Sequence, residues 1–383
     1  MAVRSAIVVG GGVIGLSTAC ALVGRGVQVT LLERHTVGHP WASSHGMTRA
    51  IRHEYGPNRI YTQMVARSLT RWDELERESG RRLYTETGVL TLGQEGDGQT
   101  LAGYEIMRDE GLPVERLSPE ECAARFPQFD PAKYSAITWN PRGGMLYASE
   151  CLLALRERLT ARGGTLREGA RVTQVEQTGG AARVWLEGAA TLEADYVVVT
   201  AGPWALDVVP GLRATVRPTR QQITYFAGAD PALFAIGTFP VFLAEMECYG
   251  FPMHGPGWLK IASHVTGATV DPDAGYEPDL DEIEFVREFI RRVIPRAESL
   301  EVALVDRCMY DMTPDEDFIL DRLPGSERIT IGSGFSGHGF KFGPLTGALL
   351  AAVALGEEPE FSLERFRLTR FTKSAGAPGA GAV

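Results

Sequence analysis

Cysteine is scarce in this 383-residue chain. The five present, Cys20, Cys122, Cys151, Cys248 and Cys308, are odd in number and far apart, and no C-x-x-C pair occurs. That pattern argues against a disulfide framework and a structural zinc site, and it fits a reducing, cytoplasmic setting. Long apolar runs are also missing: no stretch reaches the ~20 residues that a membrane span needs. The apolar start "SAIVVGGGVIGL" is broken by glycines, so no signal peptide is expected. Positive charge is not in excess, with Lys plus Arg at 38, Asp plus Glu at 48 and a net charge of −10. With no run of five or more like charges, nucleic acid is not an expected partner. No repeat of about 20–50 residues is visible, which excludes a repeat array. The ending "SAGAPGAGAV" reads as a loose tail over 371–383 and is not a peroxisomal "SKL" signal.

What is present is an ordinary globular composition, 44% hydrophobic and 22% charged. The length implies two domains or one large α/β domain with a second layer. The strongest pattern is "AIVVGGGVIGLSTACALVGRGVQVTLLE". A buried strand leads into Gly10, Gly12 and Gly15, spaced G-x-G-x-x-G. A helix of small and apolar residues follows, then a second strand ending at Glu33. Gly10 permits a sharp turn, Gly12 lets a pyrophosphate approach the backbone, and Gly15 lets the helix pack close to the sheet. The helix start offers free N–H groups to phosphates. Glu33, 23 residues after Gly10, stands where an acid binds ribose hydroxyls. An acid there disfavours NADP; the pattern does not separate NAD from FAD.

Further along, 60–80 and 149–164 have helical spacing, and Ser118 with Glu121 forms a capping box. "ADYVVVTAG" is a buried strand that places Gly202 at its end, a second point of close approach. Residues 216–305 read as a meander of strands followed by an amphipathic helix ended by Pro295. "RITIGSGFSGHGF" then leads into an apolar helix over 344–355, whose positive end would stabilise a reduced flavin. The expected fold is mixed α/β: a discontinuous Rossmann-like domain (1–85, 145–215, 306–370) with an inserted antiparallel-sheet substrate domain (86–144, 216–305). Such an insertion favours a flavin over NAD.

"SSHGMTRAIRHEYG" gathers His45, Thr48, Arg49, Arg52 and His53. No acid or cysteine shares a ligand-like spacing with the histidines, so no metal is expected. Arg49 and Arg52, three apart, would face the same way on a helical turn. One could meet the cofactor while the other holds an acid group. Lys260 and His264, four apart on a strand, share a face. Cys308, taken alone, reads as a small buried hydrophobe, with Arg307 beside it as a group able to lower its pKa.

Together, "IVVGGGVIG", "SSHGMTRAIRHEYG", "YGFP" followed by "LKIASH", "CMYDMTPDEDFILD" and "GFSGHGFKF" resemble the monomeric sarcosine oxidase and N-methyltryptophan oxidase family of glycine and D-amino acid oxidase-like flavoproteins. The resemblance runs from about residue 5 to 370. It implies FAD joined through its 8α-methyl group to the thiol of Cys308. It places the O2-activating lysine at Lys260 and the arginine beside the flavin ring at Arg49, flanked by His45 and Thr48. Arg52 and Lys341 would grip a substrate carboxylate, with Tyr249, His264 and Tyr310 around the substrate and Leu243 at a further substrate position. The implied cofactor contacts are Gly10, Gly12, Val13, Ile14, Gly15, Glu33, Arg34, Ser43, Ser44, Thr48, Arg49, Val172, Gly202, Trp204, Gly337, Gly339, Phe340 and Lys341. Departures occur at Ser44 and Met47, where relatives often carry His and Asp, at Leu243, and through 248–258.

The resemblance thus implies a monomeric, cytoplasmic oxidase of a secondary amine bearing a carboxylate, such as sarcosine, which yields an imine and H2O2 from O2. An oxidase of a cyclic imino acid, an FAD dehydrogenase that does not use O2, and a non-enzymatic nucleotide-binding protein stand as alternatives.

Overall fold

The strand Ser5–Val9 is apolar on both faces because it lies mid-sheet. It runs parallel to Gln28–Leu32 on one side and Tyr196–Val199 on the other. The computed structural model describes residues 3–244 and 247–371. Of the tail expected over 371–383, residues 372–383 lie outside the described residues. The full sheet has six strands, in the order Ile319–Arg322, Ile329–Ser333, Tyr196–Val199, Ser5–Val9, Gln28–Leu32 and Thr165–Arg167. Only the Ile319–Arg322 edge pairs antiparallel. Helices Val13–Val23 and Gly343–Leu355 are apolar all round and buried against each other. Their approach depends on small residues: a Cβ on Gly347 would lie 2.5 Å from the Ser17 backbone. No helix among the described residues is long and apolar enough to cross a membrane.

The chain divides into two units. One takes the described residues up to His45, Leu152–Pro218 and those from Met309 onward; the other takes Gly46–Cys151 and Thr219–Cys308. Residues 46–85, expected with the nucleotide-binding segments, lie in the second unit. Thr48–Ile51 and Tyr84–Glu86 both pair with Gly144–Tyr147, so the ladder carries the whole segment there. The hydrophobic pattern of 46–85 marks its helix, Arg59–Ser79, but not which sheet the flanking strands join.

The second unit is built on an eight-stranded sheet, in the order Glu301–Met312, Arg217–Ala227, Trp258–Ser263, Cys248–His254, Val241–Ala244, Val89–Gly93, Ala136–Asn140 and Glu115–Leu117. The expected meander holds for three consecutive strands, Val241–Ala244 to Trp258–Ser263. Arg217–Ala227 joins it beyond Trp258–Ser263, and the Val241–Ala244 pairing with Val89–Gly93 is parallel. Helix Leu280–Val293 covers one face, where Phe289 stacks on Phe242 with ring centroids 5.9 Å apart. Asp279 caps this helix by accepting from the Asp281 and Glu282 N–H groups. The capping box at Ser118 forms in full: Ser118 Oγ accepts from Glu121 N at 3.2 Å, and the Glu121 carboxylate accepts from Ser118 N at 2.8 Å.

Candidate active site

In the first unit the glycine turn is dictated by backbone crowding. Gly10 has φ +103°, and a Cβ there would sit 2.4 Å from Thr200 O. A Cβ on Gly15 would sit 1.8 Å from Gly10 O. Helix Val13–Val23, which also carries Ile14, begins beside Ser44, whose Oγ accepts from Val13 N at 3.0 Å. Glu33, at the end of its strand, accepts from Gly11 N at 2.7 Å and His35 N at 2.8 Å. Burial raises its carboxyl pKa while these two N–H groups oppose the rise. Gly202, with φ +52°, opens a turn directly after the central strands, and Trp204 in that turn lies under the Arg34 guanidinium at 5.5 Å. Val172 is buried in the core behind the sheet, Ser43 is half-buried, and His45 Nδ1 stands 3.1 Å from Gly38 O. A side-chain-free turn, a helix start and a strand-end acid fit a dinucleotide.

The same unit holds the loop before the last helix. Gly337, φ +77°, lies against the ring of Tyr310, which a Cβ would approach to 2.4 Å. A Cβ on Gly339 would come within 2.5 Å of Phe335. Asp311 pins this loop, its carboxylate accepting from Gly334 N at 2.7 Å and Phe335 N at 3.1 Å. Burial raises the Asp311 pKa to about 6, against the pull of those donors. Phe340 is buried, and so is Lys341, whose Nζ donates to His338 O at 3.3 Å.

In the second unit a cation cluster forms from segments distant in sequence. Lys260 is 1% exposed inside the strand Trp258–Ser263. Its Nζ donates to Thr48 O at 3.1 Å and lies 4.5 Å from the Phe251 ring centroid and 5.9 Å from that of Tyr249. Burial first, and the Arg49 guanidinium second, lower its pKa to about 7. Arg49 donates from Nη1 to the same Thr48 carbonyl at 2.9 Å and from Nη2 to Cys308 Sγ at 3.5 Å. Cys308 is buried. Tyr249 pairs in register with Leu243, and its ring lies 5.9 Å from that of His264. Arg52 lies over the Tyr55 ring at 4.8 Å.

Residues 5–353 match the family of FAD dependent oxidoreductases. The chain belongs to that family. It is 33% identical over 379 residues to a peroxisomal sarcosine oxidase of Mus musculus, covering 96% of each chain. It is 32% identical over 375 residues to an N-methyl-L-tryptophan oxidase of Yersinia pestis, covering 95% of this chain and 98% of the relative. A glycine oxidase structure from Geobacillus kaustophilus superposes with a TM-score of 0.81 at 22% identity, covering 96% and 98%.

In this FAD-dependent oxidoreductase, Lys260, Thr48, Arg49, Cys308, Tyr249, Leu243 and His264 fall in one unit, and Gly10 to Gly15, Glu33, Ser44, Tyr310 and Lys341 in the other. Two readings of the sequence are corrected. Thr48–Ile51 is a strand, so Arg49 and Arg52 do not share a helical face: Arg49 turns to Cys308 and Arg52 to Tyr55. The guanidinium against the thiol is therefore that of Arg49. Arg307, the next residue along the strand, alternates to the other face and donates to Ala274 O at 3.4 Å. Asp311 and His254 escaped the sequence reading. The signal for each was weak: one acid among several in "YDMTPDED", and one histidine at the end of the strand-like "CYGFPMHG".

Proposed function

We propose that the chain oxidises a small secondary amine that bears a carboxylate, of the N-methyl amino acid type, with O2 as acceptor. The observation that carries this reading is the buried Lys260 ammonium, held by Thr48 O beside the Arg49 guanidinium and the Cys308 thiol. FAD, when bound, would supply the redox chemistry: a hydride equivalent would leave the carbon next to nitrogen as the amine gives up its N–H proton, and the two electrons with two protons would pass to O2 as H2O2, leaving an imine for water to hydrolyse.

The chain's own residues supply charge and position. Arg52, whose guanidinium lies over the Tyr55 ring, would take the substrate carboxylate, together with Lys341. Tyr249, His264 and Leu243 would wall the amine, and Tyr310 would contribute from the strand Glu301–Met312. Lys260 and Arg49 would stabilise negative charge as O2 is reduced, Lys260 as the ammonium donor and Arg49 as the fixed counter-charge. His45 would stand near the cofactor as a hydrogen-bonding partner. Cys308 would carry the flavin through its 8α-methyl group, with Arg49 Nη2 held 3.5 Å from its sulfur. A monomer in the cytoplasm suits this activity.

A substrate panel under anaerobic and aerobic conditions tests the proposal. Sarcosine and other N-methyl amino acids should bleach the bound flavin, and admitted air should restore its colour with one H2O2 per turnover. Bleaching by pipecolate-type cyclic acids alone would move the assignment to cyclic imino acids. Bleaching without return of colour in air would make the protein a dehydrogenase, and no bleaching by any amine would refute the reading.

A further inference from the structure

Thr48 brings two polar atoms to the cluster. Its carbonyl accepts from Lys260 Nζ at 3.1 Å and from Arg49 Nη1 at 2.9 Å. The two cations repel, and this one peptide oxygen is a shared anchor for both. The Thr48 hydroxyl is 3.2 Å from His254 Nε2.

His254 is 6% exposed and ends the strand Cys248–His254 at the hairpin turn before Trp258. Its Nδ1 lies 2.7 Å from Pro252 O. A carbonyl only accepts, so Nδ1 carries the proton and Nε2 is the acceptor. The Thr48 hydroxyl must then donate to it. The imidazole is boxed edge-on by the rings of Tyr225 and Phe251, each 6.1 Å away. Gly255 lets the turn close on the same segment, since a Cβ there would lie 2.8 Å from the sulfur of Met47. Burial holds the imidazole neutral, with a pKa lowered to about 4.

We infer that His254 is a positioning residue: by accepting the Thr48 hydroxyl proton at Nε2 it fixes the Thr48 peptide, and through that carbonyl it sets the places of the Lys260 ammonium and the Arg49 guanidinium. The wiring stands on these contacts alone. Its consequence for O2 chemistry rests on the role proposed for Lys260. The charged and titratable groups that face Lys260 are Arg49, which lowers its pKa, and Asp306 and Cys308, which raise it. Tyr249 and His254 stand beside it in the fold.

The test reads the Lys260 pKa directly in the full-length holoprotein. The chain has four lysines, Lys133, Lys260, Lys341 and Lys373, so 13Cε labelling gives few signals, and the one lost in Lys260→Met is assigned. His254→Phe keeps the ring and removes the acceptor. The Lys260 midpoint should fall by about half a pH unit as its carbonyl partner loosens. Thr48→Val should give the same fall, and the double variant no more than either single one. His254→Gln, whose Oε1 can take the place of Nε2, should restore the midpoint.

An unchanged midpoint in His254→Phe with a lowered Tm would reduce His254 to packing and overturn the inference. Additive shifts in the double variant would also overturn it. Should His254→Phe not fold, an unchanged midpoint in Thr48→Val would do the same. Shifted midpoints without a parallel change in flavin reoxidation would uphold the wiring and count against the role proposed for Lys260.

Discussion

Gly10, Gly12 and Gly15, the proposed nucleotide contacts, lie within one turn of chain, whereas the cation cluster is assembled from four strands. In the cluster, Lys260 reaches Thr48 across 212 positions and Arg49 reaches Cys308 across 259. The two regions also fail differently. The glycine turn consists of backbone and empty space, so any added side chain damages it. The cluster consists of side chains, two of which share one peptide oxygen, so its members are expected to be replaceable one at a time with the fold retained. A cradle is therefore a test of binding, and the cluster a test of chemistry.

The strongest way to break that contrast is Gly15→Val. The new Cβ would stand 1.8 Å from Gly10 O, a clash that only backbone movement relieves. Overpacking of this kind costs about 1–3 kcal/mol and moves the helix start away from the turn. The purified protein should carry FAD at less than about a tenth of wild-type occupancy, measured by flavin absorbance per chain. Full occupancy would show that the turn is not where the nucleotide sits.

The contrast explains what the sequence made legible. The strand–glycine–helix–strand–acid order at 6–33 is local, and every element of it forms where the spacing puts it. The capping box at Ser118 and the helix Gly343–Leu355 are local too. The errors fall where a long-range ladder decides. Arg49 and Arg52 fit a helical turn by spacing, but pairing of Thr48–Ile51 with Gly144–Tyr147 makes that segment a strand. The same ladder moves 46–85 to the second unit. Adjacency in sequence offers Arg307 as a group able to act on Cys308, yet adjacency on a strand means opposite faces. His254 was invisible because its partner, Thr48, is 206 positions away.

Cys308→Ala sharpens the cluster side. The wild-type protein, precipitated in acid, should keep its yellow colour in the pellet, whereas the variant should release its flavin to the supernatant. A colourless wild-type pellet would return Cys308 to the packing residues. If the variant still binds FAD without a bond, the glycine turn carries affinity and the thiol carries attachment, which is the division of labour the contrast requires.

Lys260→Met is the subtlest, because it should separate chemistry from stability. Removing one preorganised charge from a developing anion costs about 10²–10³-fold in rate, so reoxidation by O2 should slow by that much while anaerobic flavin reduction changes little. Equal loss in both half-reactions would remove Lys260 from the O2 step. In the wild type, the ammonium form is lost as pH rises through about 7, so reoxidation should decline across that range. Stability should run the other way. The folded-state pKa of Lys260 is lowered from 10.5 to about 7, so between those values the unfolded chain binds more protons, and wild-type stability rises with pH. Below about pH 7 the buried charge carries its whole cost. A methionine of similar length carries none, so Lys260→Met should have the higher Tm at pH 6. That advantage should shrink as pH rises towards 10, because the wild-type lysine is already neutral in the fold and the pH is approaching the unfolded value of 10.5, where the proton is no longer held by the unfolded chain either. A variant less stable than wild type at pH 6 would mean that the hydrogen bond to Thr48 O outweighs the desolvation of the ammonium, and that the cluster, like the glycine turn, is part of what holds the fold together.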